Sequence, residues 1–228
     1  MRRVLTIVEG FTERTVIEQT FAPYLGERGI SLHAKIIGKP GHKGGIRSFE
    51  SVCKEVLALL RQEPESYVST FFDYYGLPQN WPGLLQAKGL RSREAAAKVE
   101  LAMRREIAPK VDASDEPDRF IPYVQMHEIE ALLFSDPKIM ACAFERPDLE
   151  TKFLQILGEC GECEEIDDHP ATAPSKRIET LFPAYRKGRG VRAHAPIIVR
   201  RIGVGQLRQA CPHFNDWITR LEGIASGI

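Results

Sequence analysis

Short apolar runs of strand length alternate with longer amphipathic stretches along the first two-thirds of the chain. The runs lie at residues 4–8, 32–37, 67–72 and 120–126, and they are rich in aliphatic, β-branched and aromatic side chains. Strands that alternate with helices usually pair in parallel through right-handed crossovers. The pattern therefore predicts an α/β fold of the Rossmann-like kind, with an open, mainly parallel sheet flanked by helices.

Helical spacing of apolar positions predicts helices at residues 12–27, 49–60, 91–107, 127–134 and 137–144. Thr12 is the expected N-cap of the first helix, because its hydroxyl can accept a hydrogen bond from a free N–H group in the first turn. The glycine-rich residues 38–45 are expected to form a loop. Residues 73–82 carry glycine and proline and are expected to form turns.

The strand-like pattern stops after residue 146. A short helix is predicted at residues 149–157, followed by an acidic, irregular stretch at 158–174 and by helices at 175–182, 195–202 and 206–221. We therefore expect an α/β domain over residues 1–146 and a helical C-terminal region over residues 147–228. The simplest arrangement has this second region packed on the first as a cap.

The composition of the 228 residues is ordinary for a globular protein, with 27% charged and 43% hydrophobic side chains. No stretch has the length or apolarity of a membrane span, and the first residues lack a signal-peptide pattern. Five cysteines form an odd, scattered set, which favours reduced thiols and a cytoplasmic location. The formal net charge is zero, so any nucleic-acid contact must depend on local basic patches.

Acidic residues stand where the predicted strands end. Glu9 follows the first strand, Asp73 follows the third, and Glu128 and Glu130 follow the fourth, while Glu13 lies one helical turn beyond Glu9. Ligands of open α/β sheets bind beyond these carboxyl ends. Carboxylates gathered there would repel one another unless a cation neutralised them, and Mg²⁺ prefers such oxygen ligands. The sequence therefore predicts a Mg²⁺ or Mn²⁺ site made by these five acids.

Each of these acids also has an ordinary structural interpretation. Glu9 could cap the helix that follows it, Glu13 could be a solvated helix residue, and Asp73 could form a turn before Gly76. If residues 127–134 are helical, Glu128 and Glu130 point to different faces, and at most one of them reaches a metal directly.

Basic residues are densest in the C-terminal region and in the glycine-rich loop. Lys176 and Lys187 are candidate catalytic lysines that could stabilise charge in a transition state. The candidate nucleic-acid contacts are Lys39, His42, Lys43, Arg177, Arg186 and Arg189. The loop lacks the spacing of a P-loop, so ATP binding there is not expected. A solvated surface is the alternative for all of them.

Two cysteine motifs point to other chemistry only weakly. Cys160 and Cys163, with His169 nearby, could bind zinc, but a structural zinc site normally has a second spaced pair. Cys211 lies two residues before His213, yet no group is placed to orient that histidine as a base. We expect Cys211 and Phe214 to cap and pack the last helix.

The acids and their neighbours resemble the Toprim catalytic pattern of topoisomerases, primases and OLD-type nucleases. Five motifs in order are similar to an uncharacterised bacterial family of stand-alone Toprim-like proteins: Val8-Glu-Gly-Phe-Thr-Glu13, Phe72-Asp-Tyr-Tyr-Gly-Leu-Pro78, His127-Glu-Ile-Glu-Ala-Leu-Leu-Phe-Ser-Asp136, Pro174-Ser-Lys-Arg177 and Cys211-Pro-His-Phe214. The resemblance implies a Mg²⁺-dependent nuclease related to phage-defence and abortive-infection systems, with Glu9, Asp73, Glu128 and Glu130 as catalytic residues.

The same resemblance implies an ABC- or AAA-type ATPase as partner and DNA ahead of RNA as the nucleic acid, with a homo-oligomer left open. One departure changes the expectation. Toprim domains usually carry Asp-x-Asp at the second motif, whereas this chain has Asp73, Tyr74 and Tyr75. Either Glu128 or Glu130 replaces the second aspartate, or the chain is a non-catalytic subunit that binds nucleic acid or regulates the ATPase. A phosphatase acting on small molecules is a third interpretation with the same metal logic.

Overall fold

A computed structural model of the chain describes residues 1–38, 46, 48–111, 117–166, 169, 171–186 and 189–226. Its strands are β1 (Arg2–Val8), β2 (Ile30–Ile36), β3 (Ser66–Asp73), β4 (Phe120–Ile121) and β5 (Val124–Gln125). They form one parallel sheet in the order β2, β1, β3, with β4 and β5 both paired to β3. The predicted α/β class with a parallel sheet is confirmed.

The helices among the described residues flank this sheet or follow it in the chain. They are α1 (Phe11–Val16), α2 (Ala22–Gly26), α3 (Phe49–Gln62), α4 (Leu84–Ala87), α5 (Ser92–Ile107), α6 (Pro137–Ala143), α7 (Glu150–Cys160), α8 (Pro174–Leu181), α9 (Arg189–Ala210) and α10 (Pro212–Ser226). A π-helical turn at Ile17–Phe21 joins α1 to α2. None of the described helices combines the length and the apolarity needed to cross a membrane.

Strand β1 is mainly apolar from Val4 to Val8 because both of its faces are buried there. Val4 and Val8 pack into a core with α1, α2, α9 and α10, whereas Leu5 and Ile7 pack into a second core with α3 and α5. Alternate residues of a strand point to opposite faces, so a strand covered on both sides needs a continuous apolar run. The sheet is therefore the middle layer of a three-layer domain.

The helical C-terminal region covers one face of the sheet. The indole N–H of Trp217 in α10 donates a 3.0 Å hydrogen bond to Oγ of Ser69 in β3. The same indole stacks on Tyr123, with 4.7 Å between ring centroids. The C-terminal helices thus share a core with the sheet. The division of the chain at residue 146 stays a prediction.

The predicted fourth strand is broken into two short pieces, β4 and β5. Pro122 stands between them and has no N–H to give to the sheet. Hydrogen bonds to the Thr70 hydroxyl bridge the gap, because Tyr123 N–H donates to Thr70 Oγ1 and that hydroxyl donates to the Tyr123 carbonyl. The prediction of one strand over residues 120–126 is therefore wrong at its centre.

Two predicted helix starts also differ from the structure. Helix α1 begins at Phe11 with Gly10 as its N-cap and no side-chain cap, so Thr12 lies inside the first turn and is buried instead of capping it. Glu128 has extended backbone angles, and a 3₁₀ segment runs from Ile129 to Ser135 where a helix from residue 127 was expected.

Candidate functional site

The carboxyl ends of β1 and β3 lie side by side at the centre of the sheet. The chain leaves β1 toward β2 on one side and leaves β3 toward β4 on the other, so a crevice opens between the two strand ends. Glu9 directly follows β1, and Asp73 is the last residue of β3. The backbone N–H of Asp73 donates a 3.1 Å hydrogen bond to Oε1 of Glu9. The sheet thus brings these two predicted ligands into direct contact.

The acids of this crevice disfavour one another's charge. Burial, followed by the charge of Glu13, raises the pKa of Glu9 from 4.5 to about 7, although the N–H of Asp73 works in the opposite direction. Burial raises the pKa of Asp73 well above its ordinary value, and Glu13, Glu9, Glu130 and Glu128 add to the rise in that order. The four other acids singled out in the sequence therefore lie within electrostatic reach of Asp73.

Asp73 carries an oxygen that lacks a partner in the part of the chain that the structure describes. Its Oδ1 is enclosed by protein and accepts no hydrogen bond from any described residue. Buried carboxylate oxygens are nearly always bonded, because leaving one unsatisfied is costly. This oxygen is suited to a ligand that brings positive charge or a donor into the crevice.

Two glycines let the backbone approach these carboxylates closely. A Cβ placed on Gly76 would lie 3.4 Å from each carboxylate oxygen of Glu9, and one on Gly10 would lie 3.1 Å from Oε2 of Glu13. Side chains at these positions would narrow the space beside the acids. The backbone at Gly10 and Gly76 therefore borders the crevice.

The donor set of the crevice fits Mg²⁺ or Mn²⁺, because carboxylate oxygens are the ligands that these ions prefer. The placement of the side chains is less favourable for binding an ion than their chemistry is. Within the described ranges, no group of three or more His, Cys, Asp or Glu side chains is arranged so that it could hold a metal ion. Binding one would require a further acid of the crevice, such as Glu13 or Glu130, to turn toward Glu9 and Asp73.

Glu128 joins the sheet edge to the C-terminal region. Its Oε2 accepts a 2.9 Å hydrogen bond from the backbone N–H of Ser175, in the first turn of α8. A carboxylate at this place satisfies a free donor of the helix and its positive end. Glu128 is therefore engaged with α8 through one oxygen. The expectation that Glu128 and Glu130 occupy different faces of one helix no longer applies, since Glu128 precedes the 3₁₀ segment.

Glu130 faces a buried tyrosine of the C-terminal region. The hydroxyl of Tyr185 donates to Oε1 of Glu130 over a long 3.5 Å. Burial raises the pKa of Tyr185 well above 10, and the charges of Glu130 and Glu128 add to this effect. The phenol therefore keeps its proton and remains a donor to the acid cluster. Ser175 and Tyr185 lie in or beside segments that the sequence motifs include, but motif spacing alone does not reveal these contacts.

The predicted basic residues are less concentrated than the acids. Nζ of Lys176 pairs with Glu179 at 2.8 Å, and Nε of Arg177 donates to the Thr172 carbonyl at 2.8 Å, so both take part in local contacts. Arg186 is exposed. The second candidate catalytic lysine, Lys187, lies outside the described residues, as do the candidate nucleic-acid contacts Lys39, His42, Lys43 and the side chain of Arg189.

The acidic stretch after α7 caps helices. Oε2 and Oε1 of Glu164 accept hydrogen bonds of 2.8 and 3.0 Å from the backbone N–H groups of His213 and Phe214 at the start of α10. Glu165 accepts one of 3.1 Å from Ser92 N–H at the start of α5. Cys163 lies beside Cys211, with 3.0 Å between their sulfurs. Only the acidity of this stretch was apparent in the sequence.

A cavity of about 230 Å³ lies next to the acid crevice. Tyr74, which follows Asp73, and His127, which precedes Glu128, both line it. Lys88, Ser92, Ala95 and Met126 contribute to its walls. Sequence patterns do not reveal this cavity, because its walls come from segments that are far apart in the chain.

The family described as Domain of unknown function (DUF4276) matches residues 8–222. The chain belongs to the DUF4276 family. No curated protein matches this DUF4276 chain. Among solved structures, it is similar to two of the C-terminal region of the Xanthomonas campestris pv. campestris OLD protein, one phased with iodine and one with mercury, at 17% and 16% identity. Each match covers 96% of this chain and 97% of the other, with a TM-score of 0.36.

These two similarities are loose, and nothing about the activity of the DUF4276 chain follows from them. The family match extends over both the sheet and the C-terminal helices. It therefore includes all five acids of the crevice as well as Ser175 and Tyr185. The chemistry of this DUF4276 protein has to be derived from these residues.

Proposed function

We propose that the chain is a divalent-metal-dependent phosphodiester hydrolase of Toprim type, that is, a nuclease. The observation that supports this most strongly is the gathering of five acids at one crevice, where Glu9, Glu13, Glu128 and Glu130 all disfavour the charge of Asp73. Repulsion within such a cluster would destabilise the fold if the acids had only a structural role. The cluster is favourable where a cation and the phosphate that it carries are to be bound.

The chain's own residues would divide the work at this crevice. Glu9 and Asp73 would hold the ion, with Glu13 or Glu130 turning toward it, and a bound Mg²⁺ would supply a nucleophilic water and neutralise charge on the phosphate. The N–H of Asp73 fixes the Glu9 carboxylate, so its orientation is set before substrate binds. Glu128 accepts the N–H of Ser175 in the first turn of α8, and the next residue, Lys176, is a candidate for contacting substrate.

Nucleic acid is the proposed substrate, with DNA ahead of RNA. An ABC- or AAA-type ATPase is the proposed partner, in a phage-defence role. Both proposals rest on the resemblance of the five sequence motifs and on the Toprim character of the acid crevice. The neutral overall charge means that affinity for a polyanion would come from the metal and from local lysines and arginines.

Cleavage assays with matched variants test the proposal. Purified wild type should cleave plasmid or labelled oligonucleotides with Mg²⁺ or Mn²⁺ and not with EDTA. Glu9→Gln and Asp73→Asn should each lower the rate on the order of a hundredfold or more, because even outer partners of a metal site cost about 10- to 100-fold. Glu65→Gln is the control, because Glu65 is exposed and lies just before the first residue of β3, at the end of the strand away from the crevice. Cleavage that survives in both crevice variants would refute the proposal.

A second candidate function is a non-catalytic subunit that binds nucleic acid or regulates a partner ATPase. Tyr75 stands where the Toprim pattern has its second aspartate, and it is 40% exposed. The described acids are also not arranged around an ion. This candidate predicts that wild type binds nucleic acid in EDTA and cleaves none with any divalent metal. Metal-dependent cleavage that disappears in Asp73→Asn would exclude it.

A further inference from the structure

The cavity beside the acids has the walls of a binding site for a flat heteroaromatic ring. The rings of Tyr74 and His127 meet edge to face, with 5.8 Å between their centroids. Ala95 and Met126 add apolar surface, and both are nearly fully buried. Oγ of Ser92 lies 3.3 Å from Nε2 of His127, so two polar groups meet at the same wall. Apolar and aromatic walls with a few polar groups are typical of small-ligand sites.

The size of the cavity limits what it can hold. Its volume of about 230 Å³ is smaller than the range of about 300 to 1,000 Å³ that is typical of pockets for drug-sized ligands. A single nucleobase with part of its sugar is a ligand of this smaller class. An aromatic ring can stack on any base, so the walls do not demand one particular sequence.

The rim of the cavity is suited to a nucleic-acid backbone. Lys88 lines the cavity and is exposed, which places an ammonium group where it can meet a phosphate. Two aromatic residues near the acids are also exposed: Phe11, two residues after Glu9, is 51% exposed, and Tyr75, two residues after Asp73, is 40% exposed. Exposed aromatic side chains of this kind serve as platforms on which unpaired bases stack.

We infer that this cavity receives the base of the nucleotide that adjoins the phosphate held at the acid crevice. The inference rests on the proposed function and specifies its substrate as single-stranded or unpaired nucleic acid. The cavity and the acid crevice are lined by consecutive residues of the chain, because Tyr74 follows Asp73 and His127 precedes Glu128. A base within a duplex cannot enter such a cavity unless it is unstacked and turned out of the helix.

Binding measured in EDTA tests the inference without any need for cleavage. Fluorescence anisotropy would compare a labelled oligothymidylate with the same strand in a duplex. Wild type should bind the single strand about tenfold or more tightly, the order expected from stacking one base. Ala95→Leu fills the cavity and should remove most of this preference. Ala97→Leu makes the same change on the exposed face of α5 and should leave it unchanged.

A second pair of variants tests the rim without altering the core. Lys88→Glu should weaken binding of the single strand several-fold, whereas Lys98→Glu, on an exposed face of α5, should have little effect. Circular dichroism establishes that each variant is folded. Equal affinity of wild type for single strand and duplex, or unchanged binding by both folded Ala95→Leu and Lys88→Glu, would overturn the inference.

The two proposals fail in different ways. A wild type that prefers single strands, loses this preference in Ala95→Leu and cleaves nothing would contradict the proposed function and support the cavity assignment. A wild type that cleaves with Mg²⁺, and does so equally well after Ala95→Leu and on fully paired duplex, would support the proposed function and overturn the cavity assignment.

Discussion

Oε1 of Glu9 accepts a 3.1 Å hydrogen bond from the backbone N–H of Asp73, so the residues that end two adjacent parallel strands are bonded to each other. This contact fixes one carboxylate of the crevice by the backbone of the other. It leaves Oδ1 of Asp73 enclosed and without a hydrogen bond from any described residue. The site therefore has two main features: the Glu9 carboxylate is held in one orientation, and Oδ1 of Asp73 is an unsatisfied acceptor.

Removing the charge of Asp73 should stabilise the metal-free protein. The ionised form of Asp73 is disfavoured by burial and by the charges of four neighbouring acids. Asp73→Asn should raise the free energy of unfolding in EDTA near neutral pH by about 1 kcal/mol, within the range of known trade-offs between stability and activity. For a chain of this size, the melting temperature would rise by about 2–4 °C. Glu65→Gln should leave the melting temperature unchanged. A lower melting temperature for Asp73→Asn than for wild type would contradict the repulsion between Asp73 and the neighbouring acids.

Glu164 should contribute to stability as the cap of α10. Its two carboxylate oxygens accept the N–H groups of His213 and Phe214. Glu164→Ala should lower the free energy of unfolding by about 1–2 kcal/mol, because it removes a helix cap and leaves buried donors unsatisfied. Glu162→Ala is the control, since Glu162 is exposed and two residues away. Urea unfolding measures both, and equal losses would show that the cap contributes little.

The stability of the protein should fall as the pH rises through the titration of His213. Burial by itself would lower the pKa of this imidazole. The hydrogen bond and charge of Glu100, helped by Glu164 and Asp216, outweigh it and raise the pKa above 6.5. Nε2 of His213 lies 2.9 Å from Oε1 of Glu100, and Arg220 faces the other oxygen of Glu100 at 3.4 Å.

The folded state therefore prefers the protonated histidine. The stabilisation is fully present below the unfolded pKa of 6.5 and is lost as the pH rises through the higher folded value. Glu164, whose pKa is also raised by burial, gives a change of the same sign. Urea unfolding from about pH 6 to about pH 8 should show this loss in wild type and a flatter profile in His213→Gln. His33→Gln, an exposed control, should keep the wild-type slope.

Gly83 and Gly89 offer a matched test of packing beside α5. Both have positive φ, of 81° and 78°, so an alanine at either position costs about 1 kcal/mol in backbone strain. A Cβ on Gly83 would also lie 2.8 Å from the Lys98 carbonyl and 2.9 Å from Ala102 Cβ, whereas one on Gly89 meets nothing within 4 Å. Gly83→Ala should therefore destabilise the protein more than Gly89→Ala, by about 1–3 kcal/mol. Equal melting temperatures would contradict this packing.

The strand ends could be predicted from the sequence because their signals are local. The run before Glu9, residues 4–8, is buried at every position and apolar except at Thr6, as expected for a strand covered on both faces, and the acid follows where the run stops. The same holds for Asp73 at the end of β3. Parallel pairing then brings the two ends together without any further information.

The remaining contacts could not be predicted because they join distant segments. Glu128 bonds to the N–H of Ser175, 47 residues later in the chain, and Cys163 meets Cys211 across 48 residues. No periodicity encodes such pairs. The break at Pro122 was missed for a different reason. An apolar run on both sides of a proline reads as one strand, although the missing N–H interrupts the sheet.

The location of bound Mn²⁺ tests the central claim most directly. Crystals soaked in MnCl₂ should show an anomalous peak between the carboxylates of Glu9 and Asp73, with Glu13, Glu128 or Glu130 as a further ligand and Oδ1 of Asp73 bonded to the ion. The same soak of Asp73→Asn crystals should show the peak lost or strongly reduced. A wild-type crystal with no peak at this crevice, or with Mn²⁺ bound only elsewhere, would contradict the assignment of these acids as a metal centre.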